Sequence, residues 1–363
     1  MKTGISLLIF LTCAAIRLMP VEIKNMGIIP IDQSQVYLQK VSKFTVTEDE
    51  FFLFPDMKAG DVKIFDNTGK LVKVLGRKGL GPQEYVAPYF CDYKKPYFIV
   101  LDWGKHKLLS FQRENKLDFK PLSESLILAL GYDVKFIAGN RILISGYAMD
   151  SESNEYDLYF LDPETQKKDF LLPDYLKYGC SSKREKDNIY PTKIAPLSIY
   201  GFCDYINGSI YFVWKGDLRI LKINSSSKKV DYFGKKTGKY IKPEVTPQLL
   251  KMHNNREKGT EVIRQKMSWV TGIFADPDFV ALVYSNYKAG MEGWQTIIQF
   301  YTLKGDFIEE KELPGAINIS SFPEPFFCYT RETKMLYYLA WKIDPQYEDV
   351  YQILKFKISI KGK

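Results

Sequence analysis

Histidine is almost missing from this chain, with 2 in 363 residues, and cysteine is sparse at 5. Catalytic zinc centres commonly draw on several histidines, so His106 and His253 leave no room for a His-rich metal site. No Gly-x-Ser-x-Gly elbow, His-Glu-x-x-His pair or Cys-x-x-Cys pair occurs, which removes the local signatures of serine hydrolases, zincins and dithiol redox proteins. Charge of one sign is lacking too. The 51 basic residues are interspersed with 43 acidic ones for a net +8, whereas nucleic acid binding wants a concentrated basic face. Nucleic acid is therefore excluded as a partner.

A largely apolar run stands at the start. Met1-Lys2-Thr3-Gly4 is followed by Ile5 to Ile16 and then by Arg17 and Pro20. A basic start and an apolar core shorter than the ~20 residues of a membrane helix predict a secretory signal over residues 1–20. The protein is then exported, to the periplasm or the cell surface. Cys13 follows Phe10-Leu11-Thr12 much as a lipidated cysteine follows its lipobox, although Thr12 stands where Gly or Ala is usual. This leader admits two outcomes: membrane attachment through a lipidated Cys13, or ordinary cleavage near Ala14 or Ala15.

What the chain has in excess is aromatic: 25 Tyr and 24 Phe, with 45% apolar residues. Such residues fill pleated, half-buried surfaces, so a packed all-β protein is expected. Repeats support it. Phe90-Cys91-Asp92-Tyr93, Phe202-Cys203-Asp204-Tyr205 and the looser Phe274-Ala275-Asp276 each precede a short polar turn and an apolar run. Each reads as a strand, a turn and a second strand. Third strands are visible at Val62 to Phe65, Leu108 to Phe111, Leu158 to Leu161, Leu218 to Ile223, Ile297 to Leu303 and Tyr351 to Ile358. Where these repeats are regular they recur roughly every 45 to 50 residues, the period of four-stranded propeller blades.

Two longer intervals read as insertions near 177–197 and 237–266. After Ile358 no strand remains to complete the last sheet, whereas Val21 to Ile31 supplies one in advance. The expectation is one domain over residues 21–363, a six-bladed β-propeller whose N-terminal strand completes the last blade and leaves no long open edge. A pair of β-sandwiches would want a polar linker mid-chain, where the Cys203 repeat sits instead.

The segment Gly76-Arg77-Lys78-Gly79-Leu80-Gly81-Pro82-Gln83-Glu84-Tyr85 closely resembles the Gly-rich signature of NHL-like six-bladed propellers found in exported bacterial proteins and lipoproteins. The preceding hairpin, Ile64 to Val72, fits that family as well. Gln83 stands where the family usually has Gly. The resemblance implies the fold, and it implies no particular activity.

The glycine loop has neither nucleotide-binding spacing nor a following Lys-Ser or Lys-Thr pair, and reads as a turn between blades. Arg77, Lys78 and Glu84 are expected to project from it, and Tyr85, Trp103 and Tyr284 are the aromatic candidates for the same surface. Asp92, Asp204 and Asp276 recur at the end of first strands, where an Asp before a turn accepts backbone N–H bonds. Cys91, Cys203 and Cys328 fall in alternate blades and are expected to be buried thiols. No cofactor is called for, although channel carboxylates would suit calcium. The leading expectation is a non-catalytic binding or scaffolding module of the cell envelope that meets a protein, peptide or glycan at its axial face. The alternatives are a propeller lyase or hydrolase using a cation held by channel carboxylates, and a structural component of an envelope complex.

Overall fold

The computed structural model describes residues 20–34, 37–127, 131–137, 141–152, 155–173, 201–242, 265–291, 293–318, 326–343 and 349–361. The leader with Cys13, the insertion near 177–197, Cys180, His253 and most of 237–266 lie outside the described residues.

The chain opens with β1 (Val21–Pro30) and then lays down antiparallel sheets in sequence order. The first sheet holds β2 (Thr45–Val46), β3 (Phe52–Asp56), β4 (Asp61–Phe65) and β5 (Leu71–Leu75). The second holds β6 (Pro88–Lys94), β7 (Tyr97–Asp102), β8 (Lys107–Asn115) and β9 (Asp118–Leu126). The third holds β10 (Gly131–Phe136), β11 (Ile142–Met149), β12 (Glu155–Leu161) and β13 (Lys168–Pro173). The fourth holds β14 (Gly201–Ile206), β15 (Ser209–Trp214), β16 (Ile220–Asn224) and β17 (Val230–Phe233). The fifth holds β18 (Trp269–Ala275), β19 (Val280–Lys288), β20 (Gly293–Tyr301) and β21 (Phe307–Asn318). The sixth holds β22 (Phe327–Thr330), β23 (Met335–Ile343) and β24 (Asp349–Ile360), and a single parallel bridge, Asn318 to Trp341, joins it to the fifth. All six expected third strands coincide with β4, β8, β12, β16, β20 and β24.

The sixth sheet is completed from the other end of the chain. β1 runs antiparallel to β24 from Val21 opposite Ile360 to Pro30 opposite Gln352, with one bulge at Asn25/Gly27. This ladder caps the edge of β24, which would otherwise offer its N–H and C=O groups to another chain. Immediately after β1, the Asp32 N–H donates to the Gly69 carbonyl of the first sheet at 2.9 Å.

Alternation along the strands explains how the sheets stack. Phe52 and Phe54 belong to the apolar cluster shared by the fifth, sixth and first sheets, while Leu53 between them joins the cluster facing the second. Phe98 and Val100 face back to the first sheet, and Ile99 and Leu101 face forward to the third. With side chains of period two and a sheet on each side, a strand must be apolar at every position. The continuous apolar runs of the second and third strands have this cause.

Candidate functional site

The six first strands form a closed inner ring. β2 touches β6, β6 touches β10, β10 touches β14, β14 touches β18, and β22 touches β2. The remaining step, β18 to β22, is made by Phe274 stacked on Tyr329 with ring centroids 4.5 Å apart.

Polar groups of this ring are consumed by one another. The Phe136 N–H of the third sheet donates to Asp92 of the second at 2.8 Å, and the Ala275 N–H of the fifth donates to Asp204 of the fourth at 2.8 Å. Asp133 accepts the Cys203 N–H in the same manner at 3.2 Å. Asp92 and Asp204 therefore bond the next sheet, where the sequence suggested their own turns. Asp276 does both, accepting the Asp278 N–H at 3.1 Å and the Tyr329 hydroxyl at 2.7 Å.

Cations complete the balance. Lys43 pairs with Asp133, Lys135 lies 3.7 Å from Asp92, and Arg331 lies 2.5 Å from Asp204. Burial opposes charge on Asp204, but Arg331 and Lys135 outweigh it and hold the carboxyl below its ordinary value. Burial likewise opposes charge on Lys135, and the Asp92, Asp204 and Asp133 carboxylates reverse the effect. Three carboxylates here thus face three cations. Any divalent ion would have to displace an ammonium or guanidinium, and among the described residues no cluster of three His, Cys, Asp or Glu side chains is arranged for a metal.

Cys91, Cys203 and Cys328 are all free thiols. Cys91 and Cys203 are fully buried, Cys328 is half-buried, and burial pushes all three thiols up from their ordinary value.

A second constellation lies on one face of the disc, where the second and third strands of a sheet are joined and the chain crosses to the next sheet. Asp102 ends β7 and is completely buried. It accepts the N–H groups of Val86 (2.8 Å) and Ala87 (2.9 Å) from the crossover, and of Gly104 (2.9 Å) and Lys105 (3.2 Å) from its own turn. Asp56 at the end of β3 repeats the arrangement with Gln39 (2.8 Å), Lys40 (3.1 Å), Lys58 (3.2 Å) and Ala59 (3.1 Å). It also accepts from the buried Lys63 ammonium at 3.0 Å.

The crossover from the first to the second sheet carries the glycine loop. Glu84 folds back onto it: the Gly81 N–H donates to its carboxylate at 2.8 Å and Arg77 Nε donates at 2.8 Å. The Gly81 amide and Arg77 lower its pKa. A side chain at Gly79 would put its Cβ 2.0 Å from the Glu84 carboxylate, so the close approach needs glycine there. The anion that this loop cradles is its own. Gln83 takes φ +59°, the left-handed conformation that glycine holds without strain. Arg77, Lys78 and Leu80 remain outward, with Leu80 83% exposed.

Comparison with known proteins agrees with this layout. Residues 29–187, less than half of the chain, match the family DUF5128, described as a 6-bladed beta-propeller. A member of the DUF4221 family from Bacteroides vulgatus is similar over 95% of this chain and 100% of its own, at TM-score 0.62 and 14% identity. A candidate exported protein of Bacteroides fragilis is similar over 94% of this chain and 95% of its own, at TM-score 0.56 and 14% identity. The chain is a six-bladed β-propeller. The resemblance to propellers of exported bacterial proteins is borne out, and at such identities the structures share the fold alone. No curated protein matches the sequence.

Within this propeller the residues singled out from sequence separate. Arg77, Lys78 and Glu84 do sit together on the crossover face. Tyr85 does not reach the surface: it is fully buried among Leu53, Val62, Phe98 and Leu109, between the first two blades. Tyr284 is buried as well, its hydroxyl donating to Glu310 at 2.8 Å. Trp103 is half-buried and stacked on Tyr89 at 4.1 Å. Each of these aromatics follows the rule that a large ring is withdrawn from water when a neighbouring sheet can cover it. Sequence reading missed Asp56 and Asp102. A signal for them exists, since Asp56 and Asp102 each stand six residues before the first apolar residue of their third strand, Val62 and Leu108.

Proposed function

We propose that this propeller is a non-catalytic, extracytoplasmic binding module of a bacterial envelope that meets a protein, peptide or glycan through its crossover face. The observation that carries this reading is the pinning of that face by Asp102 and Asp56, each accepting four backbone N–H groups. Loops fixed in this way keep Arg77, Lys78 and Leu80 in one arrangement before a partner arrives, which lowers the entropy lost on binding. Against a cation-dependent lyase or hydrolase stands the ion pairing of Asp92, Asp133 and Asp204. Export rests on the leader over 1–20, with or without lipid on Cys13.

Metal analysis of the purified protein, followed by thermal melts with calcium, peptides and glycans, tests the reading. Ligand-dependent melting without a stoichiometric ion supports it, because a ligand that binds only the folded state raises the melting point by mass action. A stoichiometric ion, or the absence of any ligand effect, overturns it.

A further inference from the structure

The fourth blade carries a cavity of about 510 Å³ at the crossover face. One wall is the turn between β15 and β16, with Gly216, Asp217 and Arg219; the other is the crossover after β17, with Lys236, Tyr240 and Lys242. Its size falls within the range of small-molecule sites. Tyr232 and Phe233 form the outer rim, and Tyr232 is 71% exposed. This is a large ring left in water beside a concavity, in a protein that buries most of its rings.

The crossover wall is held from several sides. The Tyr240 hydroxyl donates to the Gly216 carbonyl at 3.1 Å, Ile241 and Ser268 exchange hydrogen bonds, and Thr237 donates to Glu310 at 2.7 Å. Gly234 passes so close to the opposite wall that a Cβ there would lie 2.4 Å from the Leu218 carbonyl oxygen. The concavity is therefore built into the fold.

Its charge is one-sided. Among the described residues, Arg219, Lys236 and Lys242 are set against a single lining carboxylate, Asp217, which already pairs with Arg219 at 2.6 Å. Lys236 and Lys242 are exposed and pair with no carboxylate among the described residues. Two ammonium groups beside an exposed aromatic face suit a ligand that brings both a negative group and an apolar ring face. A bare phosphate offers no ring face to Tyr232, whereas a sugar brings one together with hydroxyl groups that the Asp217–Arg219 pair can accept from and donate to. We infer that this cavity binds an acidic saccharide, its carboxylate or sulfate held by Lys236 and Lys242 and one sugar ring laid on Tyr232. The inference rests on the reading of the propeller as a binding module and names the ligand class for one part of the same face.

Isothermal titration of the full mature chain at low salt tests it with four probes: an oligogalacturonate, a sulfated disaccharide, a neutral cello-oligosaccharide and inorganic phosphate. The uronate arm and the sulfate arm separate the two sources of charge. We expect at least one acidic saccharide to bind, the neutral sugar and phosphate not to, and affinity to fall as salt rises. Lys236→Ala with Lys242→Ala should weaken binding by about tenfold or more, and Tyr232→Ala by several-fold, with melting points unchanged. Lys120→Ala, an exposed cation on the second blade, should have no effect. Failure of both acidic saccharides to bind, or binding that the Lys236/Lys242 pair of substitutions leaves intact, overturns the inference. Peptides or other glycans that still raise the melting point of those variants would leave the binding-module reading standing while this site falls.

Discussion

Arg331 in the sixth blade lies 2.5 Å from the carboxylate of Asp204 in the fourth, and its Nε donates at 2.7 Å to the Ala275 carbonyl of the fifth blade between them. One side chain thus ties together three sheets whose covalent connections run through more than a hundred residues.

Asp204 titrates below its unfolded value of 3.8. A carboxyl whose folded pKa is depressed adds stability above the unfolded pKa and loses it as pH falls through the folded one. Asp204→Asn should therefore cost about 2 kcal/mol at pH 7, and less at pH 3, where the unfolded carboxyl is mostly protonated. That cost lies below the usual loss for a broken buried pair because Arg331 is about a third exposed, with 35% of its side chain open to solvent. Urea unfolding of both proteins at the two pH values checks this; an equal cost at both would show that the carboxylate charge is irrelevant.

Asp102→Ala removes four hydrogen bonds from partly buried amides at once, and we expect a loss of about 3 kcal/mol. Amide exchange should quicken at Val86, Ala87, Gly104 and Lys105 before the sheets themselves loosen. Asp56→Ala should cost more, because Lys63, with 1% of its side chain exposed, would retain only Asp61 as a partner among the described residues. A larger loss for Asp102 than for Asp56 would contradict this ranking.

Two backbone positions should respond in opposite directions. Gln83→Gly relieves a left-handed residue and should raise stability by up to about 1 kcal/mol. Gly69→Ala should lower it by about 2 kcal/mol or more, since φ is +85° and the new Cβ would fall 1.8 Å from the Pro30 carbonyl oxygen where β1 meets the first blade. Melting curves of the two variants decide.

The Tyr85 hydroxyl is buried and has no hydrogen-bond partner among the described residues. Tyr85→Phe should accordingly keep or raise stability, by roughly 1 kcal/mol at most, and leave any ligand binding unchanged. A loss of binding in this variant would restore Tyr85 to the functional surface.

Burial keeps the Cys91 and Cys203 thiols protonated at mildly alkaline pH. Their modification by a thiol reagent at pH 8 should track global unfolding and require denaturant. Rapid modification of both in the native protein would mean that the inner ring opens.

Local pattern carried much of this fold. The apolar runs Val62 to Phe65, Leu158 to Leu161 and Leu218 to Ile223 announced third strands because side-chain period and turn chemistry are properties of neighbouring residues. The missing last strand announced β1, since an open edge is costly wherever it occurs. Asp92 and Asp204 were legible as acceptors of backbone N–H groups, but the amides they chose, Phe136 and Ala275, lie 44 and 71 residues away. Tyr85 and Tyr284 looked suited to a surface because aromatic character alone does not say whether another sheet lies above the ring.

The amino-acid order by itself determined six small sheets, their sequence and the strand that closes them, because each rests on contacts between residues close along the chain or on one unfilled edge. Only the closed ring decided which carboxylates met which cations, as Lys43 met Asp133 and Arg331 met Asp204. Those encounters depend on where six sheets place their inner strands about an axis, and no spacing along the chain encodes that distance.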